Sequence, residues 1–133
     1  MEKTLRWLCW VMGIVCVLIG IAHIVLGPAA VPDTGALTAT DDNQNRFFGA
    51  IFAGYGLAWV WAVRQSPIRG DAIRWLAAIM FVGGLSRFIS VAVHGWPHGF
   101  VIVLTVLELV LPPVYFWLVR GAGSRAESAM AAA

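Results

Sequence analysis

Four long apolar runs, each ended by a sharp break, constrain the fold of this chain more than any other feature. The hydrocarbon core of a bilayer is about 30 Å thick, so a helix crosses it with roughly 20 apolar residues. The four runs have this length, whereas the strands of membrane barrels are shorter and alternate in polarity. We therefore predict four transmembrane helices, at residues 5–26, 47–63, 73–93 and 100–119.

Glycine and proline separate the runs, at Gly27-Pro28, Ser66-Pro67 and Gly95-Trp96-Pro97. Proline cannot continue a helix, and it biases the residue before it away from helical angles. The first run is longer than the roughly 7–15 apolar residues of a signal-peptide core, so we interpret it as a retained span. The predicted fold is an all-α integral membrane four-helix bundle in one domain, 1–120, followed by a flexible cytoplasmic tail, 121–133.

The composition excludes several classes of protein. Apolar residues make up 60% of the 133 residues and charged residues 12%, against about 45–50% and about 25% in soluble domains. Such a chain has too little polar surface for a soluble enzyme and too much apolar surface for a disordered segment. The nine lysines and arginines form no basic stripe, so we expect membrane lipid as a partner and no nucleic acid.

Basic residues near the span ends predict the orientation. Most of them lie on the side of the two termini: Lys3, Arg6, Arg64, Arg69, Arg74, Arg120 and Arg125. The loop between the first two spans, Pro28–Asn45, has aspartates and no Lys or Arg. By the positive-inside rule, both termini are cytoplasmic. Tryptophans lie near the same ends, where indole favours the interface: Trp7, Trp10, Trp59, Trp61, Trp75 and Trp117.

Small residues recur at helical spacing and predict where the spans pack. Helices in lipid associate through close contact at small residues or through hydrogen bonds between polar groups. The first span has such a seam at Cys9, Gly13, Cys16, Gly20, His23 and Gly27, the second at Gly49, Ala53 and Gly56, and the third at Gly83 and Gly84. We interpret both cysteines as packing residues, because about 10 Å along one helix separates them and prevents a disulfide.

Four polar side chains within or beside the spans are candidates for function. Charged groups there cost about 2.5–3.5 kcal/mol at mid-membrane on insertion scales, so they normally face the bundle interior or a water-filled cavity. Arg87 and Glu108 lie inside predicted spans, and His23 and Arg46 lie nearer the outer ends. A rise of about 1.5 Å per residue places all four in the outer half of the membrane.

Helical spacing also aligns polar stripes on the last two spans. Gly83, Arg87, Ser90 and His94 share one face of the third span, and Thr105, Glu108 and Tyr115 share one face of the fourth. We therefore predict a polar pocket that opens toward the outside. The predicted ligand-binding residues are His23, Arg46, Tyr55, Arg87, Ser90 and Glu108.

A structural interpretation of each residue stays open at this point. Arg87 and Glu108 can form an ion pair that only determines helix register. His23 can be a packed, hydrogen-bonded residue, and Arg46 can extend to the interface. His94 and His98 have the spacing of metal ligands on a helix, but Gly95 and Pro97 interrupt it, so we expect no metal. We predict no catalytic residue and no cofactor.

Several short motifs resemble a known family: the segment from Asn45-Arg46-Phe47-Phe48-Gly49 to Gly56, then Gly84-Leu85-Ser86-Arg87, Gly95-Trp96-Pro97-His98 and Leu107-Glu108-Leu109. Together they are similar to an uncharacterised bacterial family, domain of unknown function 4345, over nearly the whole chain. That family is distantly similar to DoxX-like four-helix membrane proteins, some of which are associated with quinone or redox complexes. With the orientation above, the resemblance implies a multi-pass protein of the bacterial cytoplasmic (inner) membrane.

Three functional hypotheses follow. The first is a binding protein for an amphipathic ligand, such as a lipid or a quinone, whose head lies near Arg46 and Arg87 and whose tail lies between helices. The second is a proton-coupled carrier that uses Glu108 and His23, and transport by four spans would require a second copy of the chain. The third is an accessory membrane subunit of a redox complex. We favour the first, a binding protein with a hydrophobic small-molecule partner, over an enzyme.

Overall fold

The computed structural model describes residues 1–32, 35 and 38–131, with side chains described up to residue 122. In this part of the chain the structure has four α-helices and one short 3₁₀ turn, at Gly27–Ala30. The helices are α1 (Glu2–Leu26), α2 (Ala39–Arg64), α3 (Gly70–His94) and α4 (Gly99–Ala131). Each of the four is long and apolar enough to cross a membrane. The predicted fold class is therefore confirmed, and the chain is a multi-pass helical membrane protein.

All four helices extend beyond the apolar runs that predicted them, and α2 and α4 extend the furthest. α2 begins at Ala39 because Thr38 caps its first turn: the Asp41 N–H donates to Thr38 Oγ1 at 3.2 Å, and the Thr38 N–H donates to Asp41 Oδ2 at 2.9 Å. The backbone of α4 stays helical through Ala131. The flexibility of the tail stays a prediction, and residues 33, 34, 36, 37, 132 and 133 lie outside the described part of the chain.

Close backbone contact joins α1 to α2, as the small-residue seam predicted. Gly20 and Gly49 face each other, so a Cβ atom added at Gly20 would lie 2.6 Å from the Gly49 carbonyl oxygen. Gly13 and Gly56 do the same about two helical turns away, where a Cβ atom at Gly56 would lie 2.6 Å from the Gly13 carbonyl oxygen. Small residues at these positions let the two backbones approach. We call this pair of helices the α1–α2 hairpin.

The second pair, the α3–α4 hairpin, packs less closely. A Cβ atom at Gly84 would lie 3.0 Å from the Glu108 Cβ atom and 3.0 Å from Leu109. A Cβ atom at its neighbour Gly83 would meet no atom within 4 Å. The predicted small-residue pair therefore splits: Gly84 contacts α4, and Gly83 faces open space.

The two hairpins meet at the end of the bundle that carries the termini, which we call the closed end. A cluster of buried side chains from all four helices fills it: Leu5, Cys9, Trp59, Ala62, Val63, Ile73, Leu76, Ala77, Tyr115, Leu118 and Val119. Trp59 and Tyr115 form its centre, with ring centroids 4.6 Å apart. Trp59 is therefore fully buried rather than at the lipid interface, whereas the other tryptophans predicted at this end are exposed: Trp7, Trp10, Trp61, Trp75 and Trp117.

Two tyrosine hydroxyl groups also connect the hairpins. Tyr55 on α2 donates a hydrogen bond of 2.6 Å to the Leu76 carbonyl oxygen on α3. Tyr115 on α4 donates one of 3.0 Å to the Leu8 carbonyl oxygen on α1. Both bonds lie at or next to the closed end, and the opposite end, the open end, contains the cavities described next.

Candidate ligand-binding site

Two adjoining cavities lie between the hairpins. The larger, of about 570 Å³, has almost entirely apolar walls and reaches Tyr55 and Tyr115; we call it the apolar cavity. The smaller, of about 400 Å³, contains polar side chains and is called the polar cavity. Five residues line both cavities: Ile19, Phe48, Phe52, Leu104 and Glu108. Both volumes lie in the range of small-molecule pockets in proteins.

Arg87 and Glu108 form a two-point ion pair on the α3–α4 hairpin. Arg87 Nε donates to Glu108 Oε2 at 2.6 Å, and Arg87 Nη2 donates to Glu108 Oε1 at 2.7 Å. Charged hydrogen bonds in this paired geometry are short and strong. The structure thus brings together the two charged residues that the sequence places within the spans.

This ion pair is not sealed in dry packing. The Arg87 side chain is 35% exposed and that of Glu108 is 21% exposed. Both residues line the polar cavity, and Glu108 also lines the apolar one. Arg87 Nη1 makes no hydrogen bond within the described part of the chain. The pair therefore keeps free N–H groups beside an open space.

Glu108 also has a main-chain carbonyl group that lacks its usual hydrogen-bond donor. Pro112 lies inside α4 and has no N–H group to donate to the carbonyl oxygen of Glu108, one turn earlier. Glu108 therefore combines a carboxylate with a main-chain carbonyl group that has lost its usual helical donor.

A second polar pair, His23 and Asn45, lies on the α1–α2 hairpin. His23 Nδ1 and Asn45 Oδ1 are 2.8 Å apart, and both residues line the polar cavity. The carboxamide oxygen can only accept, so Nδ1 is the donor, and a neutral ring then has Nε2 as an acceptor. Asn45 is not among the ligand-binding residues predicted from the sequence. Its position one helical turn before Gly49 is the feature of the sequence that could have indicated a place in the site. In the structure, Gly49 packs against the His23 Cβ atom.

Each polar pair belongs to one hairpin. In the described ranges, no side chain at the open end donates a hydrogen bond from one hairpin to the other. The pairs His23–Asn45 and Arg87–Glu108 instead line the same cavity from its two sides. The polar groups at this end therefore face a gap that no side chain of the described residues bridges by a hydrogen bond.

The structure corrects the predicted position of Arg46, which lines neither cavity. Its Nε donates to Asp42 Oδ2 at 2.8 Å, and its Nη1 donates to the carbonyl oxygens of Ile24 and Val25 in the last turn of α1. The last carbonyls of a helix have no helical donor, so Arg46 supplies one. Its role is to hold α2 to the end of α1, and we leave it out of the site.

The adjacent turn also depends on this contact. Gly27 has a φ of 59°, a backbone conformation that favours glycine. A Cβ atom at Gly27 would lie 2.5 Å from Asp42 Oδ1. Gly27 therefore permits both the turn after α1 and the approach of the Asp42–Arg46 pair.

The other predicted residues lie in different environments. Tyr55 lines the apolar cavity, and its hydroxyl donates to the Leu76 carbonyl. Ser90 is exposed and lines neither cavity, so the predicted stripe on α3 turns away from the interior after Arg87. His98 Nδ1 accepts from the Phe100 N–H at 3.2 Å, in the turn before α4. The described residues contain no group of His, Cys, Asp and Glu side chains that could hold a metal ion.

Comparison with known proteins finds a family match for the chain. No curated protein and no solved structure matches the chain at a significant level. Residues 4–119 match the family described as domain of unknown function (DUF4345), and this range includes every residue that lines the two cavities. The distant similarity to DoxX-like proteins stays a prediction. The chain is a member of the DUF4345 family, as the motifs around Arg46, Arg87 and Glu108 indicated.

Proposed function

We propose that this protein binds an amphipathic ligand, a lipid, a quinone or a similar molecule, between its two hairpins. The polar head lies among His23, Asn45, Arg87 and Glu108, and the tail occupies the apolar cavity. One observation carries the proposal: the Arg87–Glu108 ion pair lies where a polar and an apolar cavity adjoin. Amphipathic ligands have the same division into a polar and an apolar part.

An ion pair that only sets helix register does not require adjoining cavities beside it. A purely structural pair is satisfied by its own two partners and by tight packing around them. Here the pair is partly exposed, and a second polar pair, His23–Asn45, lines the cavity from the other hairpin. Polar groups in lipid are costly unless they have partners. A ligand head that contacts both pairs supplies those partners.

The lipid phase has direct access to the apolar cavity. Between α1 and α4 the lining includes Val15, which is 44% exposed, and Leu107, which is 46% exposed. Between α2 and α3 it includes Ile51 and Ile79, which are 58% and 56% exposed. A ligand dissolved in the bilayer therefore enters between the hairpins without crossing the membrane surface.

A pair of glycine variants tests the proposal. Gly83 lines the apolar cavity, Gly54 lines neither cavity, and a Cβ atom at either position would meet nothing within 4 Å. Gly83→Leu adds a side chain in the wall of the apolar cavity, and Gly54→Leu adds the same side chain elsewhere on the surface. We expect protein purified in mild detergent to carry a ligand that mass spectrometry detects after organic extraction. Gly83→Leu should reduce its occupancy by about tenfold, the effect of roughly 1.4 kcal/mol of lost affinity, and Gly54→Leu should not.

Two results would contradict the proposal. One is wild-type protein that carries no lipid or quinone after gentle purification and whose melting temperature rises with none that is added. The other is equal ligand occupancy in both glycine variants, because the bound molecule would then lie outside the cavity.

We also propose a location in the inner membrane of a bacterium, with both termini in the cytoplasm. The support is the charge distribution: seven of the nine basic residues belong to the end with the termini. A fluorescent protein fused to the C-terminus should fluoresce, and alkaline phosphatase fused there should be inactive. The reverse pair of results would invert the orientation and would place the polar cavity on the cytoplasmic side.

A further inference from the structure

The ionisable groups that line the polar cavity balance one another. Among the described residues of its wall these groups are Arg87, Glu108 and His23. The first two neutralise each other at 2.6 Å and 2.7 Å, and His23 has the uncharged Asn45 side chain as its partner. Arg46, which we predicted beside them from the sequence, has Asp42 as its own partner and lies outside the cavity.

A ligand with a charged head would disturb this balance. An anion that bound Arg87 would either displace Glu108 or lie next to its negative charge, and a cation would have the same conflict with Arg87. Like charges brought together in a poorly solvated interface are strongly disfavoured. A ligand head of either charge would therefore meet repulsion from one member of the ion pair.

The polar atoms that are not already bonded indicate which uncharged groups of a ligand fit the site. Arg87 Nη1 offers N–H donors, and His23 Nε2 offers an acceptor on the opposite wall. A hydroxyl group both donates and accepts, so neighbouring hydroxyl groups on one small head can satisfy the two walls at once. Leaving such groups unpaired costs more than the bond itself contributes, which gives a site of this kind its selectivity.

From this geometry we infer that the ligand has an uncharged, hydroxyl-bearing head on an apolar tail, with the head held between Arg87–Glu108 and His23–Asn45. This inference rests on the proposed function and narrows its ligand class. It places hydroxyl groups against Arg87 Nη1 and His23 Nε2, and it leaves the ion pair intact in the bound state.

Three probes with the same acyl chain test the inference. They are 1-oleoylglycerol, which is uncharged, N-oleoyltaurine, which is an anion, and oleoylcholine, which is a cation. Binding to the detergent-solubilised full chain is measured by native mass spectrometry and by the change in melting temperature. We expect the oleoylglycerol to bind at least about tenfold more tightly than either charged probe, because the charged heads conflict with one member of the ion pair.

Charge variants sharpen the test. Glu108→Gln leaves the arginine uncompensated and should shift the preference to oleoyltaurine, whereas Arg87→Gln should shift it to oleoylcholine. The matched control is Arg46→Gln, which removes an equal charge outside the cavity and should leave the order of the probes unchanged. Thermal unfolding of each variant shows whether it is folded. The comparison of the three probes on wild-type protein does not depend on any variant.

The outcomes separate this inference from the proposed function. Tight binding of oleoyltaurine or oleoylcholine to wild-type protein would overturn the uncharged head and leave an amphipathic binding site. Binding of none of the three, together with no co-purified ligand, would overturn both. An unchanged probe order in both Glu108→Gln and Arg87→Gln would also overturn the inference, because the head would then lie away from the ion pair.

Discussion

The two ends of the bundle hold the same four helices in different ways. At the closed end, large side chains from both hairpins fill the space between them, with Trp59 and Tyr115 at the centre. At the open end, polar side chains pair only within their own hairpin, His23 with Asn45 and Arg87 with Glu108. Contacts between the hairpins form a packed core at the closed end. At the open end the contacts lie within each hairpin, and cavities remain between the two.

The comparison shows that polar residues in a membrane bundle need not hold it together. The hydrogen bonds of Tyr55 and Tyr115 cross from one hairpin to the other and belong to the packed region. The stronger, charged bonds of Arg87 stay within one hairpin. We therefore expect stability to depend mainly on the closed end and ligand binding mainly on the open end, and substitutions at the two ends test this division.

The largest expected effect is at the closed end. Trp59→Ala removes a side chain that is fully buried and should lower the free energy of unfolding by about 3–5 kcal/mol. Phe48→Ala, at the open end, removes a side chain that is 62% exposed and should cost about 0.5 kcal/mol or less. Denaturant unfolding in mixed micelles measures both. Equal losses would abolish the distinction between the ends.

The next largest effect on stability is expected from substitutions in the packing between α1 and α2. Gly20→Ala puts a methyl group 2.5 Å from the Ala53 nitrogen, where backbone atoms must move, and should cost about 1–3 kcal/mol. Gly54→Ala has open space and should stabilise the helix by up to about 1 kcal/mol. Thermal unfolding of the two variants tests this difference in sign. A tolerated alanine at Gly20 would show that the helices do not pack this closely.

A double-mutant cycle compares the two ion pairs. Arg87→Gln, Glu108→Gln and their combination should give a coupling energy of about 0.5–3 kcal/mol, because either single change leaves a partly buried charge without its partner. The Arg46–Asp42 pair is 43% exposed on both sides and should give about 0.3–0.5 kcal/mol. Unfolding free energies of the wild type and of the three variants of each cycle provide both values. A smaller coupling energy for Arg87–Glu108 than for Arg46–Asp42 would contradict the conclusion that Arg87–Glu108 is the more buried pair.

The smallest effect concerns the tyrosine hydroxyl groups. Tyr55→Phe and Tyr115→Phe each remove one hydrogen bond between hairpins and should cost about 0.5–1.5 kcal/mol. Ser90→Ala removes an exposed hydroxyl group at the open end and should stay within about 0.5 kcal/mol. Melting temperatures in one detergent are sufficient. A loss at Ser90 equal to that at the tyrosines would contradict the placement of the inter-hairpin bonds.

Much of the fold could be predicted from the sequence because lipid imposes simple requirements. Run length predicts the spans, and small residues at helical spacing predict close contact, as Gly20 and Gly49 confirm. Arg87 and Glu108 meet because charged groups within spans have few other partners. These inferences need only spacing along one helix and the cost of an unpaired charge.

The remaining details depend on geometry that spacing does not contain. Arg46 has a long side chain, and its choice of the α1 carbonyls over the cavity follows from the turn at Gly27. Trp59 lies at the depth expected for an interfacial tryptophan, but its face of α2 points to the other hairpin. Asn45 precedes the apolar run, so its part in the site becomes visible only once Thr38 is seen to start the helix earlier.

The decisive measurement is an experimental density map of the purified protein in a lipid nanodisc. We expect elongated non-protein density between the hairpins, with its head between His23–Asn45 and Arg87–Glu108 and its tail toward Tyr55. Hairpins that close on each other, with side chains filling the space beside Glu108, would contradict this expectation.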